Sequence, residues 1–218
     1  MTADPGAGDR LRPVFALCRY DPAGGGGQPP VPLPPQLARA RPKRRAEYAA
    51  GRLAAREALR RLTGAALLPL MGEDRAPAWP PGTTGAISHS DGVAVALAGW
   101  RRDWAGLGVD IETWPSPSLA EAIAPLVLTP ADIAGPEGVG LAFSAKESLY
   151  KALHPIVGGE LGFADASIAE LSRREGLLRL ERDLAPGWSR GRLVPFRHAR
   201  LGAQVLTQVS LPARPQPG

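Results

Sequence analysis

Residues Leu141 to Leu153, LAFSAKESLYKAL, are the stretch around which the rest of the chain is organised. They are good helix formers with no Gly or Pro among them, which predicts a single helix. Leu141, Ala142, Ala145, Leu149, Ala152 and Leu153 form an apolar stripe at helical spacing. Glu147 and Lys151 stand four residues apart and share a face, with Lys146 at its edge. Among 26 Lys and Arg residues the lysines are Lys43, Lys146 and Lys151, so two of them fall in this helix. Lysine is a flexible point charge that can follow a phosphate or donate a proton, which the rigid guanidinium fork does less well. Taken alone, the helix also reads as a surface amphipath whose Glu–Lys pair contributes about 0.2–0.5 kcal/mol. A second acidic site upstream changes that balance.

Leu107 to Glu112, LGVDIE, reads as a strand. Side chains alternate along a strand, so Asp110 and Glu112 point to one side. Two carboxylates on one face repel unless a cation or hydrogen-bond donors lie between them. A hard cation such as Mg²⁺ suits such a pair, because it takes oxygen ligands and keeps waters and substrate phosphates as the remainder. The alternative is an edge strand with two solvated acids, with Val109 and Ile111 turned to the core.

Between Arg39 and Leu62 the sequence after Pro42 predicts a long helix, apolar on one side and studded with Arg44, Arg45, Arg52, Arg56, Arg60 and Arg61. It reads as a solvated charged face, a nucleic-acid patch or a clamp for a cofactor phosphate, which Arg grips in bidentate fashion. Thr84 to Ser88 and Gly92 to Ala98 predict two short strands, with Ser88, His89, Ser90 and Asp91 at the bend between them. His89 is either structural or a phosphate donor whose other nitrogen is held. Val14 to Tyr20 predicts a first strand, and Leu119 to Leu126 a short helix. Asp165 to Leu171, Leu177 to Arg182, Gly191 to Ala199 and Ala203 to Leu211 predict further strands. Residues 1 to 10, the Gly- and Pro-rich segment Asp21 to Pro35, the segment Gly72 to Gly82 and the RPQPG tail read as loops or frayed ends. The order hints at an α/β fold in two halves, 1–106 and 107–218.

At 218 residues there is room for one large domain or two small ones. A net charge of +5 and a pI near 10.0 favour an acidic protein, a polyanionic cofactor or nucleic acid as partner. Against nucleic acid, aromatics are 6% and no aromatic–basic stacking surface is evident. Cys18, the single cysteine, excludes an internal disulfide framework and a Cys-based zinc site. No apolar run approaches the ~18 residues of a membrane span, and MTADPGAGDR lacks the apolar core of a signal peptide. The expectation is a cytoplasmic protein with no membrane partner.

Together, Asp110, Glu112 and Glu147 could hold one Mg²⁺, with Lys146, Lys151, His89 and the arginines around a pyrophosphate. At this point the chain resembles the 4′-phosphopantetheinyl transferases, of the larger monomeric Sfp type, in the subtype that activates enterobactin synthetase. The resemblance is carried by KRRAEYAAGRLAAREAL (Lys43 to Leu59), RAPAWPPGTTGAISHS (Arg75 to Ser90), GVDIE (Gly108 to Glu112) and FSAKESLYKAL (Phe143 to Leu153), with weaker support from GFADA (Gly162 to Ala166). It implies two similar α/β halves related by a pseudo-twofold, with coenzyme A in the cleft between them. It implies that Asp110, Glu112 and Glu147 bind Mg²⁺, or Mn²⁺ in its place, and that Glu147 is the base. Lys146 and Lys151 would contact the pyrophosphate, with Lys151 the acid for the leaving group. Ser88 and His89 would touch the CoA phosphates, Arg44 and Arg52 the 3′-phosphate and adenosine end, and Arg75 the adenine. The implied second substrate is an apo carrier protein or carrier domain of fatty-acid, polyketide or nonribosomal peptide synthesis, docking on Pro115 to Gly140. Ser90 departs from the pattern, standing where many relatives have Cys.

Overall fold

The computed structural model describes residues 12–23, 31–72, 75–132, 136–159 and 161–213. The expected loose N-terminus, the glycine run 24–27 and the tail 214–218 lie outside the described residues. The elements in order are β1 (Val14–Arg19), α1 (Pro42–Thr63), β2 (Leu70–Met71), β3 (Pro77–Ala78), β4 (Thr83–Ser90), β5 (Val93–Trp100), β6 (Trp104–Thr113), α2 (Pro117–Val127), α3 (Pro136–Val157), β7 (Ala166–Leu171), β8 (Glu175–Leu180), β9 (Leu193–Leu201) and β10 (Gln204–Pro212). The fold is therefore mixed α/β. No helix of the described residues is long and apolar enough to cross a membrane.

Alternation along β5 sets the first layers. Val93, Val95 and Leu97 point to one face and pack with Leu107, Val109 and Ile111 of β6. Ala94, Ala96 and Ala98 point to the other and lie under α1, whose contacting face is itself small: Ala50, Ala54, Ala55 and Ala58. Alanine against alanine lets the helix lie close on the antiparallel sheet β1-β5-β4. The second sheet has the order β6-β10-β9-β8-β7 and is antiparallel throughout. One face of β6 packs on the first sheet, and the other receives α3. The layers run helix, sheet, sheet, helix.

The α3–β6 contact is made at glycine. A Cβ on Gly108 would overlap the Ser148 carbonyl, and one on Gly106 would overlap that of Ala152. Helix backbone thus rests on strand backbone. Beside it, Ser144 and Ser148 of α3 hydrogen-bond with Thr207 of β10 at 2.9 and 2.7 Å, so the buried hydroxyls are paired.

Several boundaries differ from expectation. Ser88, His89 and Ser90 are the last residues of β4, not a bend; the turn is Asp91–Gly92, at φ 37° and 80°. That is the two-residue Asp-Gly hairpin, which needs positive φ at both positions. The segment expected as a Gly/Pro loop holds half of a small hairpin, β2 with β3. Helix α3 begins at Pro136, through Gly138 and Gly140, because Gly140 packs against Pro115 and the Trp114 ring, where a Cβ would come within 2.8 and 3.0 Å.

Gly108→Ala should destabilise the protein by about 2–3 kcal/mol, because the added methyl meets backbone that cannot rotate away. Urea unfolding measures this, and a loss under about 0.5 kcal/mol would show that α3 moves off β6 freely.

Candidate active site

The close approach of α3 brings its Lys151 onto β6. Lys151 Nζ donates to Asp110 Oδ1 at 2.6 Å, to the Val109 carbonyl at 3.2 Å and to Ser88 Oγ at 3.2 Å. Ser88 Oγ in turn donates to Asp110 Oδ1 at 2.8 Å. Two residues along β4, on the same face, Ser90 Oγ donates to Glu112 Oε2 at 3.2 Å and accepts from the Thr113 N–H at 3.2 Å. The pairs 88–110 and 90–112 rise together, so β4 and β6 run in the same direction, joined here by side chains. Thr113 Oγ1 donates to Asp91 Oδ2 at 2.8 Å, closing the far end.

Glu147 lies one turn before Lys151 on α3, within electrostatic reach of Lys151 and Asp110. Its carboxyl is raised by burial and, less, by Asp110, while Lys151 opposes the shift. Glu112 is pushed up to about 7, first by burial and next by Asp110, with Glu147 adding to the effect. The three acids expected at one site therefore do share one electrostatic neighbourhood. Among the described residues no three His, Cys, Asp or Glu side chains stand close enough to enclose an ion by themselves. Asp110 Oδ2 is nevertheless buried with no hydrogen-bond partner. An orphaned carboxylate oxygen beside a carboxyl whose charge is disfavoured by burial and by Asp110 fits a divalent cation, which would relieve both, and Mg²⁺ takes part of its shell from water and phosphate.

On the other side stands a cationic cluster built from α1. Arg44 Nη1 lies 3.2 Å from His89 Nε2 and 3.3 Å from Glu47 Oε2. Arginine can only donate, so Nε2 is the acceptor in this arrangement and Nδ1 carries the proton, facing Glu47 Oε2 at 4.0 Å. Burial lowers the His89 pKa, opposed by Glu47 and aided by Arg44 and Lys151. Arg52 is buried with its guanidinium 4.5 Å from the Tyr48 ring centroid, and its Nε has no partner. Burial works against its charge, and Arg44 lies near enough to add to this. Two arginines within reach of one another, one with an unmet buried donor, make a place for an anion.

The structure thus brings together Ser88, His89, Asp110, Glu112, Glu147, Lys151, Arg44 and Arg52. Two expected residues stand elsewhere. Arg75 lies exposed in the β2–β3 turn at φ 66°, and no hydrogen bond or ion pair among the described residues ties it to this cluster. Lys146 does not face the β6 acids: its ammonium bonds to Asp132 Oδ2 and to the Val127 carbonyl, both at 2.7 Å. Sequence reasoning missed Glu47 and Asp132. Glu47 has a signal, one turn from Arg44 on an otherwise basic helix; Asp132 lies in irregular chain and has none.

The comparisons accord with this geometry. Residues 33–99 match the 4′-phosphopantetheinyl transferase N-terminal domain, and residues 106–205 match the 4′-phosphopantetheinyl transferase superfamily. The chain is 38% identical over 144 residues to 4′-phosphopantetheinyl transferase Svp of Streptomyces mobaraensis, covering 61% of this chain and 57% of that one. It is 40% identical over 138 residues to enterobactin synthase component D of Salmonella typhi, covering 60% and 56%. To enterobactin synthase component D of Escherichia coli (strain K12) it is 34% identical over 193 residues, covering 84% and 88%. The chain thus spans little more than half the length of the first two relatives and most of the third. With both halves of the chain matched and the third relative aligned nearly end to end, the chain belongs to the 4′-phosphopantetheinyl transferase superfamily.

Proposed function

We propose that the protein transfers the 4′-phosphopantetheine arm of coenzyme A to a serine hydroxyl of an apo carrier protein, leaving adenosine 3′,5′-bisphosphate. The observation that carries this reading is the Lys151–Asp110 contact, flanked by Glu112 and Glu147 on one side and by His89, Arg44 and Arg52 on the other. Acids and cations side by side suit a pyrophosphate with its counter-ion better than either set alone does. We further read the two halves, 1–106 and 107–218, as related by a pseudo-twofold with CoA between them. Each carries a 22-residue helix over an antiparallel sheet, although a boundary at 106 cuts into β6.

In this reading the serine oxygen forms a bond to the phosphorus bearing the pantetheine arm, and the P–O bond to the neighbouring phosphate breaks. Glu147, raised by burial, takes the serine proton directly or through water. Lys151 meets the charge that appears on the departing phosphate, and Ser88 and His89 orient the pyrophosphate. Arg44 and Arg52 take the 3′-phosphate and adenosine end. Asp110, Glu112 and Glu147 would hold Mg²⁺, or Mn²⁺, which supplies charge neutralisation at the pyrophosphate oxygens. The net charge of +5 suits acidic carrier domains.

Incubation with CoA, Mg²⁺ and a panel of apo carrier domains, read by intact mass, tests the reading; no mass gain on any carrier would refute it. Glu147→Gln should lower turnover about 100-fold or more while CoA affinity holds. Unchanged turnover removes Glu147 from the chemistry. Lys151→Ala should cut kcat about 100-fold, more than it raises the KM for CoA; wild-type kcat would make it a structural lysine.

Glu112 also gives a pH signature. Its folded carboxyl titrates at about 7, against 4.5 ordinarily, so the folded state holds the proton more tightly than the unfolded chain. With divalent cations chelated, this contribution to stability is full below about 4.5 and is lost as pH rises through about 7. Urea midpoints at low and high pH should show that loss, and Glu112→Gln should flatten it.

A further inference from the structure

Of the two lysines in the middle of α3, Lys151 reaches the β6 acids and Lys146 does not. The Lys146 and Asp132 side chains are 3% and 0% exposed. Val127, whose carbonyl Lys146 takes, is the last residue of α2, where helix carbonyls lack intrahelical partners. Asp132 is saturated: Oδ2 also accepts the N–H and Oγ1–H of Thr129 at 2.8 and 2.9 Å, and Oδ1 accepts the Ile168 N–H of β7 at 2.8 Å. One carboxylate and one ammonium thus tie the end of α2, the turn after it and β7 to α3, one residue from Glu147. For Lys146 to reach a phosphate it would have to leave both partners, stranding the buried Asp132 charge without its counter-ion.

We propose that Lys146 and Asp132 form a positioning latch, and that Lys146 serves the reaction through the placement of α2 instead of by touching CoA. The kinetic part rests on the transfer reading above. Helix α2 keeps Leu119 and Leu126, seven residues apart and so on one side of the helix, 51% and 74% exposed, and in the transfer reading this is an apolar surface that the carrier would meet. Loosening the latch therefore weakens engagement of the carrier and leaves CoA binding intact.

The test compares Lys146→Met, Asp132→Asn, the apolar double variant Lys146→Met/Asp132→Leu, and Lys146→Arg. CoA affinity is measured by calorimetry, stability by urea unfolding, and kcat and carrier KM by intact mass. The latch predicts CoA affinity within about threefold of wild type throughout, the scatter of uncoupled sites. It predicts carrier KM raised about tenfold in the Met and Asn singles, the effect of a slightly misplaced element. The double variant should be no worse than either single in stability or KM, and Lys146→Arg should recover much of the loss. CoA affinity weakened about tenfold by Lys146→Met but untouched by Asp132→Asn would overturn the proposal and make Lys146 a phosphate ligand. Additive losses in the double variant would overturn it as well. If wild type modifies no carrier, the transfer reading fails, while the calorimetric and unfolding arms still decide the latch. Should Lys146→Met not fold, Lys146→Arg and Asp132→Asn carry the same comparison.

Discussion

Backbone resting on backbone, α3 against β6 at Gly106 and Gly108, is the contact on which the rest of the molecule depends. A lysine side chain has limited reach, and Lys151 meets Asp110 only because nothing separates the helix from the strand. The same closeness buries Ser144, Ser148 and Thr207 completely, and their hydroxyls satisfy one another. Packing and electrostatics are therefore one arrangement: the glycines that let the helix in also take the acids out of solvent. That desolvation raises Glu112 and Glu147.

The opposite face of β6 has a different task. Val109 and Ile111 are fully buried against β5, so the strand joins two cores. Asp110 is held rigidly because the residues on either side of it are fixed in apolar packing. Preorganisation of this kind costs stability locally, since Asp110 Oδ2 is left without a partner, and the surrounding core offsets it.

Much of this was legible in the sequence, for physical reasons. Helices α1 and α3 announce themselves through apolar spacing, and β6 through alternation that separates Asp110 and Glu112 from Val109 and Ile111. The convergence of β6 and α3 was legible only as what the family resemblance of their two motifs implies, not through any local pattern. What escaped was long-range. The early start of α3 depends on Gly140 fitting against Trp114, which helix propensity counts only as a penalty. The destination of Lys146 depends on Asp132, fourteen residues away in irregular chain. Helical spacing puts Lys151 on the Glu147 face and Lys146 only at its edge, but it does not show that Lys146 turns away to a buried carboxylate while Lys151 stays partly exposed.

Strands β4 and β6 are each the last strand of their sheet. Among the described residues no backbone hydrogen bond links them; hydroxyls and carboxylates do. The two ladders therefore share a buried core but no backbone rung, so fraying at this edge of one ladder need not break hydrogen bonds of the other. The seam where ligand charge would arrive is also the line that no backbone ladder crosses, so a polyanion lodged there would act as a splint between two sheets that otherwise meet through side chains alone.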